Sequence, residues 1–150
     1  MNVYVASSWK TASQPDVVRR LKDAGFDVYD FRNPEPGNHG FSWQEAGLPS
    51  GPMTAKEIVK TLEHPHAQNG FVLDMTALHA ADLCVLLQPS GRSAHLEAGF
   101  CVGARKPTIV LLADGEPPDL MYKMCYALCT SVDEVVSRCE ACRELRDGKR

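Results

Sequence analysis

No run of apolar residues in this chain approaches the roughly 20 that a bilayer-spanning helix needs, so no membrane span is expected. Positive charge is equally thin. Sixteen Lys and Arg against 19 Asp and Glu leave a formal net charge of −3, with a pI near 5.9. The basic residues are scattered, and the weak cluster at 143–150 reads as a solvated end, so no nucleic-acid partner is expected. The opening residues, MNVYVASSWK, lack a charged leader segment and run straight into a strand pattern; the expectation is a soluble cytoplasmic protein without a signal peptide. The chain also lacks a Walker lysine pattern and a GxGxxG, which weakens nucleoside-triphosphate and dinucleotide readings. Ser-His-Asp and Cys-His nucleophile signatures are missing too. His64 and His66 flank a proline, His79 falls in a helical stretch, and His95 alone lies near the candidate site, so the histidines form no metal set. No cofactor and no metal are expected.

What is present is a hydrophobic content of 44% over 150 residues, enough for one domain with a proper core. Six cysteines punctuate it. Cys84 falls in an apolar strand and Cys101 in the helix after it, where thiols act as small hydrophobes. Cys139 and Cys142 continue the stripe begun by Val132, Val135 and Val136 on the last helix. Cys125, Cys129, Cys139 and Cys142 are a conceivable zinc set, but only the last pair has ligand spacing, and it lies mid-helix; reduced thiols are the expectation.

The organising stretch runs from Asp82 to Leu112. Leu83 to Leu87 is a buried strand, Pro89 to Ser93 a turn of small and polar residues, and Ala94 to Val102 an amphipathic helix with Leu96 and Phe100 on its buried side. Gly103 stops that helix, and Thr108 to Leu112 is the next strand. This is a βαβ unit, with ligands expected at the carboxyl ends of the strands. Earlier, Asn2 to Ala6 is the first strand. Ser13-Gln14-Pro15-Asp16 starts a helix with a hydroxyl cap, burying Val17, Val18, Leu21 and Ala24, and Phe26 to Tyr29 is the second strand. Residues 32–52 lose all periodicity, which favours a functional loop or lid. Within them Phe41 and Trp43 either stack on a flat ligand or pin the loop to the core. Thr54 to Leu62 reads as a helix with Ile58, Val59 and Leu62 inward. Ala67 to Ala81 is another, with Leu73, Ala77 and Ala80 inward. After the loop at 113–119, Cys125 to Thr130 is a short strand, and Ser131 to Glu134 caps the final helix. The sum is a doubly wound α/β domain, a flavodoxin-like five-stranded parallel sheet with helices on both faces.

Chemistry concentrates around Glu97. A carboxylate near a helix N-terminus stays ionised at neutral pH and suits a nucleophile. Asp74 and Asp82 are two more carboxylates that neighbouring segments can bring to the same cleft, and a pair of carboxyl groups is the minimum for glycosidic chemistry. The turn at Ser90, Gly91, Arg92 and Ser93 offers hydroxyls, backbone N–H groups and a guanidinium, a cradle for a phosphate or sugar. Arg92 reads equally as a plain surface arginine.

In order along the chain, Asp74, Ala81-Asp82, Ser90 to Ser93, Glu97-Ala98-Gly99 and the Ala104-Arg105-Lys106-Pro107 step into a strand resemble the nucleoside 2-deoxyribosyltransferase superfamily. That group includes deoxynucleoside 5′-monophosphate N-glycosidases. Tyr4-Val5-Ala6-Ser7-Ser8-Trp9 resembles its first strand and aromatic-ended turn, and Asp119-Leu120-Met121 resembles a segment that reaches into a neighbouring subunit's site. The resemblance implies that Glu97 attacks C1′ of a nucleoside, that Asp74 assists protonation of the leaving base, and that Tyr4 holds the nucleophile. It implies a substrate surround of Ser7, Asp82, Ser90, Gly91, Arg92, Ser93, Asp119 and Met121, and a homo-oligomer, dimeric or higher, with shared sites; residues 32–52 lie outside the likeness, and Phe41 and Trp43 are substrate candidates from the pattern of that loop alone.

Two departures pull apart. Gly91 and Arg92 stand where transferases usually carry an Asp, closer to the Ser-rich turn of the nucleotide hydrolases. Asp119 stands where transferases place an Asn, and an acid there repels a 5′-phosphate, which argues for a free nucleoside. The expected activity is transfer of the sugar to another nucleobase. Its alternatives are hydrolysis of a 5′-monophosphate and a non-catalytic nucleotide-binding module.

Overall fold

The computed structural model describes residues 1–44, 46–49 and 51–148. Glu45 and Ser50 of the expected loop, and Lys149 and Arg150 of the basic tail, lie outside them. Strand β1 (Asn2–Ala6) lies between β2 (Asp27–Tyr29) and β3 (Leu83–Leu87); β4 (Thr108–Leu111) and β5 (Ala127–Cys129) follow outward. Every pairing is parallel. The order β2-β1-β3-β4-β5 is the flavodoxin-like one, and β3 is buried along its whole length because both faces of the sheet are covered.

Alternation along the strands sorts the two faces. Val3, Val5, Leu83, Val85 and Ile109 face helices α1 (Gln14–Asp23) and α5 (Val132–Asp147), which contribute Val17, Leu21, Val135, Cys139 and Cys142 to one core cluster. The opposite face carries Tyr4 and Cys84, paired in register, and it takes α4 (Arg92–Gly103), which packs across β1, β3 and β4.

Several local expectations change. Ser13 occupies the N-cap of α1 but makes no capping hydrogen bond, because its backbone is already helical. Ala24 is only partly buried and serves as the C-cap. On α4 the buried residues are Ala94, Ala98 and Cys101, while Leu96 is 76% exposed and Phe100 half-buried. Small side chains let the helix approach the sheet, so the stripe against the strands is the small one. Gly103 closes α4 rather than standing beyond it, and Ala104 is the C-cap.

By contact, the chain forms two compact units: Met1–Tyr29 with Ala80 onward, and Asp30–His79. The second holds helix α2 (Ala55–Leu62) and most of α3 (Pro65–Ala80). Thr54 and Glu57 close a reciprocal capping box that starts α2. Ile58, Val59 and Leu62 are 44%, 59% and 53% exposed, so the inward face expected for α2 is uncovered among the described residues. Helix α3 begins at Pro65 and buries Ala67 and Leu78; Leu73 and Ala77 are half-buried and Ala80 is exposed. Phe41 meets Trp43 edge-on, with ring centroids 4.7 Å apart. The Phe41 side chain lies so close over Gly70 that a Cβ there would come within 2.9 Å of it. That contact pins the loop to α3.

Candidate functional site

Strand order reverses between β1 and β3, and crevices at such reversals, outside the carboxyl ends of the strands, are where this architecture binds ligands. Ser7 follows β1 and Ser90 lies three residues after β3. The Oγ atoms of both are buried with no hydrogen-bond partner among the described residues. Buried hydroxyls are normally satisfied, so two orphans flanking the crevice point to a polar ligand. Thr11 ties the two loops together: its hydroxyl donates to the Pro89 carbonyl at 2.8 Å and accepts from the Ser8 N–H at 3.1 Å.

Gly91 caps α4 in an extended backbone conformation without a side-chain hydrogen bond. Glycine offers no side-chain acceptor to the first N–H groups of α4, which carry the positive end of the helix dipole. Arg92 and Ser93 are exposed on that first turn. Glu97 is half-buried, three residues after Ala94 and four before Cys101, hence on the stripe that meets the sheet. Its charge reaches Cys84: that thiol is pushed well up by its hydrogen bond with Cys101, by burial, and by the negative charge of Glu97. Tyr4, 1% exposed and stacked on Tyr29 at 5.3 Å, is the β1 neighbour of Cys84 on the same face.

Other residues fall elsewhere. Asp82 precedes β3 and so lies at the amino end of the sheet, away from Ser7, Ser90 and the first turn of α4. There its carboxylate accepts the Asn2 N–H at 2.8 Å and pairs with Arg146 at 2.5 Å, which makes it a tie between β1 and α5. Burial alone would raise this carboxyl, but those two partners outweigh it and hold it below its ordinary value. Asp119 caps a 3-10 turn (Leu120–Met124), accepting the Met121 N–H at 2.8 Å. Asp74, half-buried on α3, and Phe41 and Trp43 belong to the second unit.

Sequence reasoning passed over Gln88 and Tyr122, both buried. The Gln88 amide donates to the Tyr122 hydroxyl at 2.8 Å, and Gln88 Oε1 accepts the Ala113 N–H at 3.2 Å. His95 Nε2 lies 2.8 Å from the same hydroxyl, and His95 Nδ1 lies 2.9 Å from the Gly91 carbonyl. Burial first of all pushes the Tyr122 phenol up, so it stays protonated. A cavity of about 270 Å³ opens beside Tyr122, lined also by Leu112, Glu116, Asp119 and Leu128. The one available hint was a lone Gln ending an apolar strand.

Among the described residues no group of three His, Cys, Asp or Glu is placed to hold a metal ion, and no helix is long and apolar enough to cross a membrane. No protein-family model and no curated protein matches the sequence. Solved structures do. A 2-deoxyribosyltransferase from the psychrotolerant bacterium Bacillus psychrosaccharolyticus is 19% identical, with a TM-score of 0.54 over 91% of this chain and 90% of its own. The fold is shared. Clostridium botulinum CMP N-glycosidase, BcmB, is 16% identical, with a TM-score of 0.50 over 94% and 98%. A conserved protein from Enterococcus faecalis V583 is 14% identical, with a TM-score of 0.55 over 91% and 95%.

Proposed function

We propose that this protein cleaves the N-glycosidic bond of a (2′-deoxy)nucleoside and passes the sugar to a second nucleobase, with Glu97 as the nucleophile. The observation that carries the reading is the place of Glu97, on the sheet-facing stripe of α4 with its charge felt at Cys84, beside the strand reversal flanked by Ser7 and Ser90. Likeness of fold to a 2-deoxyribosyltransferase and a CMP N-glycosidase supports this chemistry without fixing it. In the first step a Glu97 oxygen forms a bond to C1′ as the C1′–N bond breaks. The electron pair leaves with the base, which takes up a proton. In the second step a nitrogen of the incoming base attacks C1′, loses its proton, and releases the Glu97 carboxylate. Proton delivery to the leaving base is assigned to Asp74, and support of Glu97 to Tyr4, by resemblance to the superfamily.

A second reading, hydrolysis of a 5′-monophosphate, is favoured by Ser90, Gly91, Arg92 and Ser93 at the α4 N-terminus, which suit a phosphate. The Asp119 carboxylate caps its turn and keeps its charge, so it still counts against a 5′-phosphate placed beside it. The surround also proposed for substrate is Phe41, Trp43 and Met121. Met121 is exposed beside Leu120 and Met124, an apolar surface consistent with a neighbouring subunit in a homo-oligomer.

The deciding experiment incubates the protein with a deoxynucleoside and a different free base, and separately with deoxynucleoside monophosphates alone. Base exchange supports transfer; base release without acceptor supports hydrolysis. Ligand binding without product in any arm reduces the protein to a nucleotide-binding module.

A further inference from the structure

Five groups at the carboxyl edge form one directed chain of four hydrogen bonds, and a carbonyl fixes its direction. The Gly91 oxygen can only accept, so His95 Nδ1 carries a proton. In the neutral ring Nε2 is then the acceptor, and the Tyr122 hydroxyl donates to it. That hydroxyl accepts from the Gln88 amide, whose oxygen accepts the Ala113 N–H. The rings of His95 and Tyr122 also stack, with centroids 5.9 Å apart and planes 13° from parallel.

We propose that His95 and Tyr122 are positioning residues: they fasten the 3-10 turn carrying Asp119 and Met121 to the first turn of α4, one turn before Glu97. The turn has little else to hold it. Leu120, Met121 and Met124 are exposed, and Tyr122 is its one buried side chain. The kinetic consequence rests on the glycosidic reading; the mechanical one does not. Losing the chain frees one wall of the cavity lined by Asp119 and Tyr122, so substrate binding suffers while the Glu97 step is spared.

The test uses the full chain and three variants, Tyr122→Phe, His95→Phe and His95→Gln. Hydrogen exchange measured by mass spectrometry should show amides at 119–124 exchanging about tenfold faster in the two Phe variants, with β3 and β4 unchanged. His95→Gln, whose amide can accept from Tyr122, should restore most of the protection. In the same variants KM for the substrate found in the exchange and release assays should rise about fivefold or more, with kcat within about twofold. Unchanged exchange at 119–124, or acceleration spread evenly over the whole chain, overturns the proposal. So does a fall in kcat at constant KM. If the wild-type protein turns over no nucleoside or monophosphate, the glycosidic reading fails, and the exchange arm alone decides whether the chain holds the turn.

Discussion

Glu97 on α4 lies one turn from Ala94 and from Cys101 on the stripe that meets the sheet, and its negative charge adds to the rise of the Cys84 thiol on β3, after the Cys101 hydrogen bond and burial. A half-buried acid beside the crevice between β1 and β3 is where a nucleophile is useful. Glu97→Ala should therefore lower turnover by about a thousandfold or more, and Glu97→Gln comparably, because the amide keeps the shape but cannot attack. Steady-state assays of base exchange and base release read the effect. A loss under about tenfold would remove Glu97 from the role.

Cys139 tests the reading of the cysteines as core. Burial, then the neighbouring Cys142 and Cys129, push its thiol up from 9.0 to about 12. Only thiolate reacts with an alkylating reagent, so this rise slows alkylation near pH 8 by about a thousandfold before any steric shielding. Iodoacetamide followed by mass spectrometry should modify half-buried Cys125 first and Cys139 only after denaturation. Early labelling of Cys139 in the native protein would mean that α5 does not pack as described.

Strands were the most legible part of the sequence, and for a physical reason. The limits of β1 and β3 agree with their apolar runs because a strand covered on both faces leaves no ambiguity of side. Helix faces were less legible. Hydropathy ranks Leu96 above Ala94 and Ala98, yet the sheet demands small residues, and Leu96 turns outward. With Leu96 outward, Glu97 lies on the buried face of α4 rather than at its rim. Asp82 lies at the amino end because a residue preceding a strand of a parallel sheet is opposite the carboxyl ends, and the count of carboxylates along a sequence carries no topology. The Gln88-Tyr122-His95 chain joins positions 34 and 27 residues apart, and no local pattern announces such pairs.

Asp82 should matter to stability and not to chemistry. Its folded carboxyl titrates below the ordinary 3.8, so the folded chain binds that proton less readily than the unfolded one. The stabilisation is present above the ordinary value and is lost as pH falls through the depressed one. Asp82 and Arg146 are both partly exposed, so after solvent screening Asp82→Asn should cost only about 1 kcal/mol at pH 7. Thermal melts at pH 7 and at about pH 3 should show the wild-type advantage shrinking with acid, at unchanged base-exchange activity. A large loss of activity would return Asp82 to the site.

Gly70 sets two effects against each other on α3. Alanine in a helix interior is favoured over glycine by about 1 kcal/mol. The new Cβ, however, would meet Phe41 Cβ at 2.9 Å and Cγ at 3.0 Å, and these atoms stand close to the backbone rather than at a flexible tip. Overpacking of that kind costs about 1–3 kcal/mol, so Gly70→Ala should be net destabilising by about 1 kcal/mol. Removing the obstacle should reverse the sign: in a Phe41→Gly background, Gly70→Ala should stabilise, and urea denaturation of the four proteins of the cycle gives the coupling directly. If Gly70→Ala stabilises the chain with Phe41 intact, the Phe41 ring does not lie over α3.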